Sequence, residues 1–333
     1  MILAGDIGGT KTTLAFFTKD GDRLKHNLET TYHSRDYGSL DEIVRKFVSK
    51  NSLLVSNACF GVAGPVKDGR CEATNLAWIV DAKTLAAELG TELVWLINDL
   101  EATAYGIKVL EPQDFIILNH GASDAKGNAT VIAAGTGLGE AGFYWDGNQL
   151  HPFACEGGHA DFAPRNEIEI ELLRHLIERY SHVSYERVLS GPGLFNIYSF
   201  LRDSEKFGKE PEWLSEKLAR GDDPSSAVSE AALEGSCGLC VKAIDIFVSI
   251  YGAEAGNLAL KTLAIGGVYV GGGIAPKIIK KLTDGNFMKA FISKGRMEHL
   301  MQEMPVSVIL NDKTALLGAA RYAALKSGRS EIQ

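Results

Sequence analysis

The sequence predicts an α/β protein of two domains, on three observations. The chain has 333 residues, long enough for two hydrophobic cores of ordinary size. Short apolar runs that read as strands alternate with segments of helical periodicity. One pattern, strand, Gly-rich turn, strand, opens the chain and returns at Asn128–Gly147, where Ala-Gly-Thr-Gly echoes the earlier Gly-Gly-Thr. Two such units, each followed by mixed α/β sequence, suggest a duplicated fold.

The elements follow in order. "MILAGDIGGTKTTLAFFT" reads as two strands joined at Gly8 and Gly9, residues that permit a tight turn. A third strand falls near Leu24–Thr31. A helix over Ser39–Ser49 carries Leu40, Ile43, Val44, Phe47 and Val48 on one face. "NACFGVAGPV" is a buried strand stopped by Gly64-Pro65. "DAKTLAAELG" is a helix with Asp81 as N-cap and Gly90 as its stop. Val94–Ile97 is a short buried strand, and it runs straight into Asn98 and Asp99. That pair either starts the next helix, with Asp99 as its cap, or faces a ligand. Beyond the second strand–turn–strand unit, Asn166–Leu263 is rich in helix. "GVYVGGGIAP" (Gly267–Pro276) is a third apolar strand ending in glycines. The last helix, "DKTALLGAARYAALK", is rich in Ala and Gly, which suits close packing as at a hinge.

Composition narrows the function. Apolar residues make up 45% and charged residues 23%, the mix of a soluble globular protein. The formal net charge of −8 argues against a nucleic-acid partner, which calls for a basic face. No apolar run reaches the roughly 18 residues of a membrane helix, and "MILAGDIGG" lacks the basic start of a signal peptide. The five cysteines, an odd number, fit a reducing cytoplasm better than a disulfide scaffold. Cys237-Gly-Leu-Cys240 sits alone in a helical pattern and reads as packing. Cysteines at the surface would make activity sensitive to oxidation.

Three Gly-rich turns each follow an apolar strand: Asp6–Lys11, Gly135–Gly139 and Gly271–Gly273. Accessible backbone N–H groups in such turns bind phosphate oxygens. None is a Walker A loop, and none precedes a long helix as a dinucleotide fingerprint does. Any one of them is equally a plain hairpin. Three together point to a nucleotide held by Asp6, Gly8, Gly9, Thr10, Gly135, Thr136, Gly137, Gly271, Gly272 and Gly273, with Lys11 either meeting a phosphate or facing solvent. Asp6 suits Mg²⁺ held through water, since that ion keeps most of its own hydration.

"GDIGGTKT", "AAGTGLG" and "VYVGGGIAP" resemble the phosphate-1, phosphate-2 and adenosine motifs of the sugar kinase/actin/Hsp70 superfamily. "LINDLEATA", "CEGGHADFAP" and "ERVLSGPGL", in this order, resemble the bacterial-type glucokinase family, and the likeness runs from Gly5 to the final "LLGAA". The resemblance implies two ribonuclease H-like (actin-like ATPase) α/β domains flanking an active-site cleft, one of residues 1–109 plus 308–333 and a larger one of 110–307. It implies ATP and Mg²⁺ as cofactors, and a homodimer is plausible by resemblance alone. It implies Asp99 as the base that takes the proton of the attacking sugar hydroxyl, a role worth about 10²–10⁴ in rate. Asn98, Glu156, His159 and Glu186 are implied as sugar ligands.

Carboxylates suit a polyol, because one carboxylate accepts from two neighbouring hydroxyls. By itself, Glu186 is equally a solvated helix residue, and His159 a core histidine or metal ligand. The related repressor/ORF/kinase (ROK) family follows its Gly-His with a Cys-rich zinc motif. "GHADFAPRNEIEIELLRHL" has no cysteine, which argues against zinc. The expected reaction is ATP-dependent phosphorylation of D-glucose to glucose 6-phosphate. The alternatives are another hexose (mannose, glucosamine or an N-acetyl sugar), polyphosphate or ADP as donor, or a non-catalytic sugar sensor.

Overall fold

The computed structural model describes residues 1–21, 23–73, 76–221 and 223–330. The chain divides into two compact units, Met1–Pro112 with Asn311–Gln333, and Gln113–Leu310.

In the first unit, strands β1 (Ile2–Ile7), β2 (Lys11–Asp20) and β3 (Arg23–His33) form an antiparallel meander. Helix α1 (Leu40–Asn51) leads to β4 (Asn57–Val62), and a small three-stranded sheet, β5 (Val66–Lys67), β6 (Arg70–Glu72) and β7 (Ile79–Asp81), leads to α2 (Ala82–Leu89). The expected cap at Asp81 forms, accepting from the Lys83 and Thr84 N–H groups, and Ser39 caps α1, its side chain accepting from the Glu42 N–H. Gly90 ends α2 in the left-handed region. Strand β8 (Val94–Asn98) and helix α3 (Asp99–Ile107) complete the run.

The main sheet has the order β3-β2-β1-β4-β8, with β1, β4 and β8 parallel. Alternation along β1 sends Leu3 and Ile7 to the face under α1 and α2, and Ile2 and Ala4 to the opposite face. That opposite face is covered by α3 and the C-terminal helix Thr314–Ser330. The two helices approach so closely that a Cβ on Gly318 would strike the Ala102 carbonyl. The small residues at the end of the sequence serve this approach.

In the second unit, β9 (Phe115–Asn119) precedes β10 (Ala129–Ala134), β11 (Leu138–Trp145) and β12 (Leu150–Cys155). Helices α4 (Glu167–Ile177), α5 (Gly191–Asp203), α6 (Glu212–Ala219), α7 (Pro224–Leu233) and α8 (Gly238–Thr262) follow, then β13 (Gly267–Gly271). Short helices α9 (Ile279–Leu282), α10 (Asn286–Ile292) and α11 (Glu298–Gln302) lead to β14 (Val306–Ile309). The sheet order is β12-β11-β10-β13-β14-β9. Its first five strands repeat the first sheet: an antiparallel meander, then parallel neighbours. Each unit is therefore built on the same five-stranded α/β design, to which the second adds β9, and the duplication hinted at by two turns extends to all five shared strands. Helix α8 is buried along most of its length and organises the second core. Among the described residues, no single helix is long and apolar enough to cross a membrane.

Candidate active site

In the first unit the C-terminal ends of the parallel strands form one edge. Ile7 pairs with Val62, and Val62 with Asn98, so the Gly8–Thr10 turn and the Asn98-Asp99 pair sit on the same row, two strands apart, about 10 Å. Ligands of open α/β sheets lie beyond such edges. The helix after the pair is capped by Asn98, not by Asp99. The Asn98 Oδ1 accepts from the Leu100 N–H (2.9 Å) and the Glu101 N–H (3.3 Å), and its Nδ2 donates to the Gly64 carbonyl (3.2 Å). Asp99 is thereby relieved of the cap and placed at the first helical position, half-buried, where the positive end of the helix favours a carboxylate. Its Oδ1 accepts from the Leu100 N–H at 2.9 Å.

The turn itself is closed by the Gly8 N–H to the Lys11 carbonyl (2.9 Å). Ser34, buried, braces it from below: its Oγ donates to the Gly8 carbonyl (2.8 Å), and its N–H donates to the Thr10 carbonyl (3.0 Å). The sequence offered no sign of Ser34. Lys11 faces solvent. Burial pushes the Asp6 carboxyl up to about 6. A cation beside it would restore the charged form, so the residue fits Mg²⁺. No group of three or more potential metal ligands exists among the described residues.

In the second unit the Gly135–Gly137 turn ends β10, and Gly271–Gly273 ends the parallel neighbour β13, with Ala133 paired to Gly271. Tyr251, fully buried on α8, ties both: its hydroxyl accepts from the Ala134 N–H (3.1 Å) and lies 3.1 Å from the Gly271 carbonyl. Gly272 has φ +82°, a backbone that excludes most side chains, and a Cβ there would meet Ala134. The Gly135 carbonyl also accepts from the Gly191 N–H at the start of α5 (2.8 Å).

Glu186 lies in a short 3-10 turn, Tyr185–Arg187, and not in the solvated helix that was its alternative. Its Oε2 accepts from the Leu138 N–H at 3.0 Å, so it grips the second Gly-rich turn. Glu156 and His159 bracket another 3-10 turn, Gly157–His159, and both are exposed. His159 is thus no core histidine. His159 and Glu186 line one polar cavity of about 320 Å³ together with Arg179, Tyr180, His182 and Arg187. The unit thus brings Gly135–Gly137, Glu186 and His159 into one neighbourhood, whereas Asn98, Asp99 and Asp6 belong to the other unit.

The cysteine expectation needs correction. Four of the five thiols, Cys59, Cys71, Cys237 and Cys240, are buried, and Cys155 is half-buried, so there is no surface cysteine to oxidise readily. Cys237 caps α8, its Sγ accepting from the Cys240 N–H.

The chain matches the family model "Glucokinase" over residues 3–326. It is 43% identical to a glucokinase of Nostoc sp. (strain PCC 7120) over 97% of this chain and 99% of that one. It is 45% identical to a glucokinase of Synechocystis sp., covering 97% of both. Among solved structures, a glucokinase from an Antarctic psychrotroph superposes with a TM-score of 0.82 at 30% identity, covering 97% of this chain and 98% of that one. A ROK family glucokinase from Streptomyces griseus, in complex with glucose and AMPPNP, shares the fold with a TM-score of 0.65 at 22% identity, covering 97% and 99%. Two sheets of one strand order, Gly-rich turns on their edges, and these relatives agree: the chain belongs to the glucokinase family.

Proposed function

We propose that the chain transfers the γ-phosphoryl group of ATP to O6 of D-glucose, with Asp99 as general base. The carrying observation is the division of labour at the β8–α3 junction, where Asn98 takes the helix cap and leaves Asp99 at the sheet edge. In the reaction the glucose O6–H proton passes to Asp99, the O6–P bond forms, and the P–O bond to ADP breaks. Asn98, Glu156, His159 and Glu186 hold the other hydroxyls and so fix O6 in line, which is most of what such catalysis requires. The Gly8–Thr10, Gly135–Gly137 and Gly271–Gly273 backbones hold phosphates, as does Lys11 if it turns inward. When bound at Asp6 through water, Mg²⁺ supplies neutralisation of phosphate charge.

Support for glucose over other hexoses comes from the names of the relatives, and support for ATP from AMPPNP in the Streptomyces griseus enzyme. Asp99→Asn tests the proposal. It is isosteric, so glucose binding by calorimetry should stay near wild type while kcat falls by about 10²–10⁴. A variant that turns over at the wild-type rate removes Asp99 as base.

A further inference from the structure

Beneath the Glu156–His159 turn lies a carboxyl that the proposed reaction does not use. Glu140 is on β11, two residues beyond Leu138 and on the same strand face. It is 2% exposed, and its Oε1 has no hydrogen-bond partner. The Gly157 backbone rests directly on this carboxyl: a Cβ on Gly157 would strike the Glu140 Oε2, and a Cβ on Gly158 would strike the Leu138 carbonyl. The double glycine of "CEGGHADFAP" is therefore the fit of this turn to the strand below.

On the other side stands Glu254 of α8, fully buried, its Oε2 accepting from the Asn257 Nδ2 (2.8 Å) and its Oε1 3.8 Å from the Lys261 Nζ. Asn257 also donates to the Tyr185 hydroxyl (3.0 Å), next to Glu186, and accepts from the Lys294 Nζ (2.6 Å). The groups around Glu140 are thus Glu254, Lys261 and Tyr251 on α8, Cys155 and Glu156 along β12 and its end, and Tyr185, with Lys294 and Arg165 farther out.

We propose that Glu140 is a positioning residue for the hexose: wedged under Gly157 and shut off from water, its carboxyl sets the turn that presents Glu156 and His159. The proposal rests on the sugar reading given above. Its consequence is a dependence on pH. Burial, then the charge of Glu254, pushes the Glu140 carboxyl up to about 8, while Lys261 opposes the rise. The neutral carboxyl is tolerated under Gly157. Its ionised form would stand beside Glu254 with an oxygen that nothing inside the unit solvates. The nearest relief is the half-buried Gly157 turn, which lifts to admit water and takes the exposed Glu156 and His159 with it.

The test is the glucose KM and kcat of the enzyme across pH 7 to 9, beside Glu140→Gln, which is neutral throughout. Wild-type KM should rise by up to about tenfold by pH 9, the limit for one ionisation near 8, and kcat should change far less. Glu140→Gln should hold a flat KM near the wild-type neutral value. A flat wild-type KM, or the same rise in Glu140→Gln, overturns the proposal, and the wild-type profile alone decides if the variant fails to fold. Glu156→Gln at pH 7 separates this from the sugar reading. If its KM is unchanged, the sugar site is misplaced. If its KM rises while the wild-type profile stays flat, only the role of Glu140 is lost.

Discussion

The two Gly-rich hairpins of this chain, β1–β2 and β10–β11, share a fold and differ in how their turns are held. Both stand at the centre of a sheet of the same strand order, and both end at the carboxyl edge of parallel neighbours. The first turn is braced by a hydroxyl, Ser34, and carries its carboxyl, Asp6, on the strand before it. The second has no acid on β10, the strand before its turn. It borrows one, Glu186, from about fifty residues onward, and Glu186 is also a proposed sugar ligand. A duplicated scaffold thus places a Gly-rich turn at a sheet edge twice; on the proposed reading, Asp6 makes one copy a site for a cation and Glu186 makes the other a link between turn and sugar.

The comparison predicts unequal consequences. The largest is the loss of turnover in Asp99→Asn already described, an effect on kcat that no change in the second unit should copy. Next, Glu186→Ala removes a proposed sugar contact and frees the Leu138 N–H together. The KM values for glucose and ATP should both rise by about tenfold or more, roughly 1.4 kcal/mol each. A rise for glucose alone would show that the grip on the turn does not matter to the nucleotide.

Asp6→Asn should weaken the dependence on Mg²⁺, and it should also change stability with pH in a definite direction. The folded carboxyl titrates near 6, above its ordinary value, so its contribution is fully present below about pH 3.8 and lost as pH rises through 6. Without Mg²⁺ the asparagine variant should therefore be more stable than wild type at pH 7.5 and equal to it near pH 3.5, and added Mg²⁺ should narrow the gap. Urea denaturation at the two pH values checks this. The smallest effect belongs to the other brace. Ser34→Ala loses the hydroxyl's bonds to the Gly8 carbonyl and to the buried Thr12 hydroxyl and should cost about 1–2 kcal/mol of stability, with KM nearly unchanged.

Much of this was legible in the sequence. Glycines after apolar runs marked the three turns, Ser39 and Asp81 marked helix starts, and the echo of Gly-Thr marked the duplication. These signals are local, set by backbone conformation and capping chemistry within a few residues. The sequence placed the domain limits at 109/110 and 307/308, and the compact units divide at 112/113 and 310/311. What escaped was non-local. Ser34 supports Gly8 across 26 residues, Glu186 reaches Leu138 across 48, and Glu140 meets Gly157 only because β11 pairs with β12. The cap at Asn98 was misjudged for a different reason. Asn and Asp cap helices equally well, so adjacent candidates cannot be ranked until the strand has fixed which one leaves the sheet first.

The central claim is the proposed reaction, phosphoryl transfer from ATP to glucose. The most direct measurement is ADP release by the purified protein with Mg-ATP, alone and with glucose, mannose, glucosamine and N-acetylglucosamine in turn, with the product of each tested as the 6-phosphate. Strong stimulation by glucose above the others, with glucose 6-phosphate formed in equal amount to ADP, is the predicted result. Release that no sugar stimulates would contradict it.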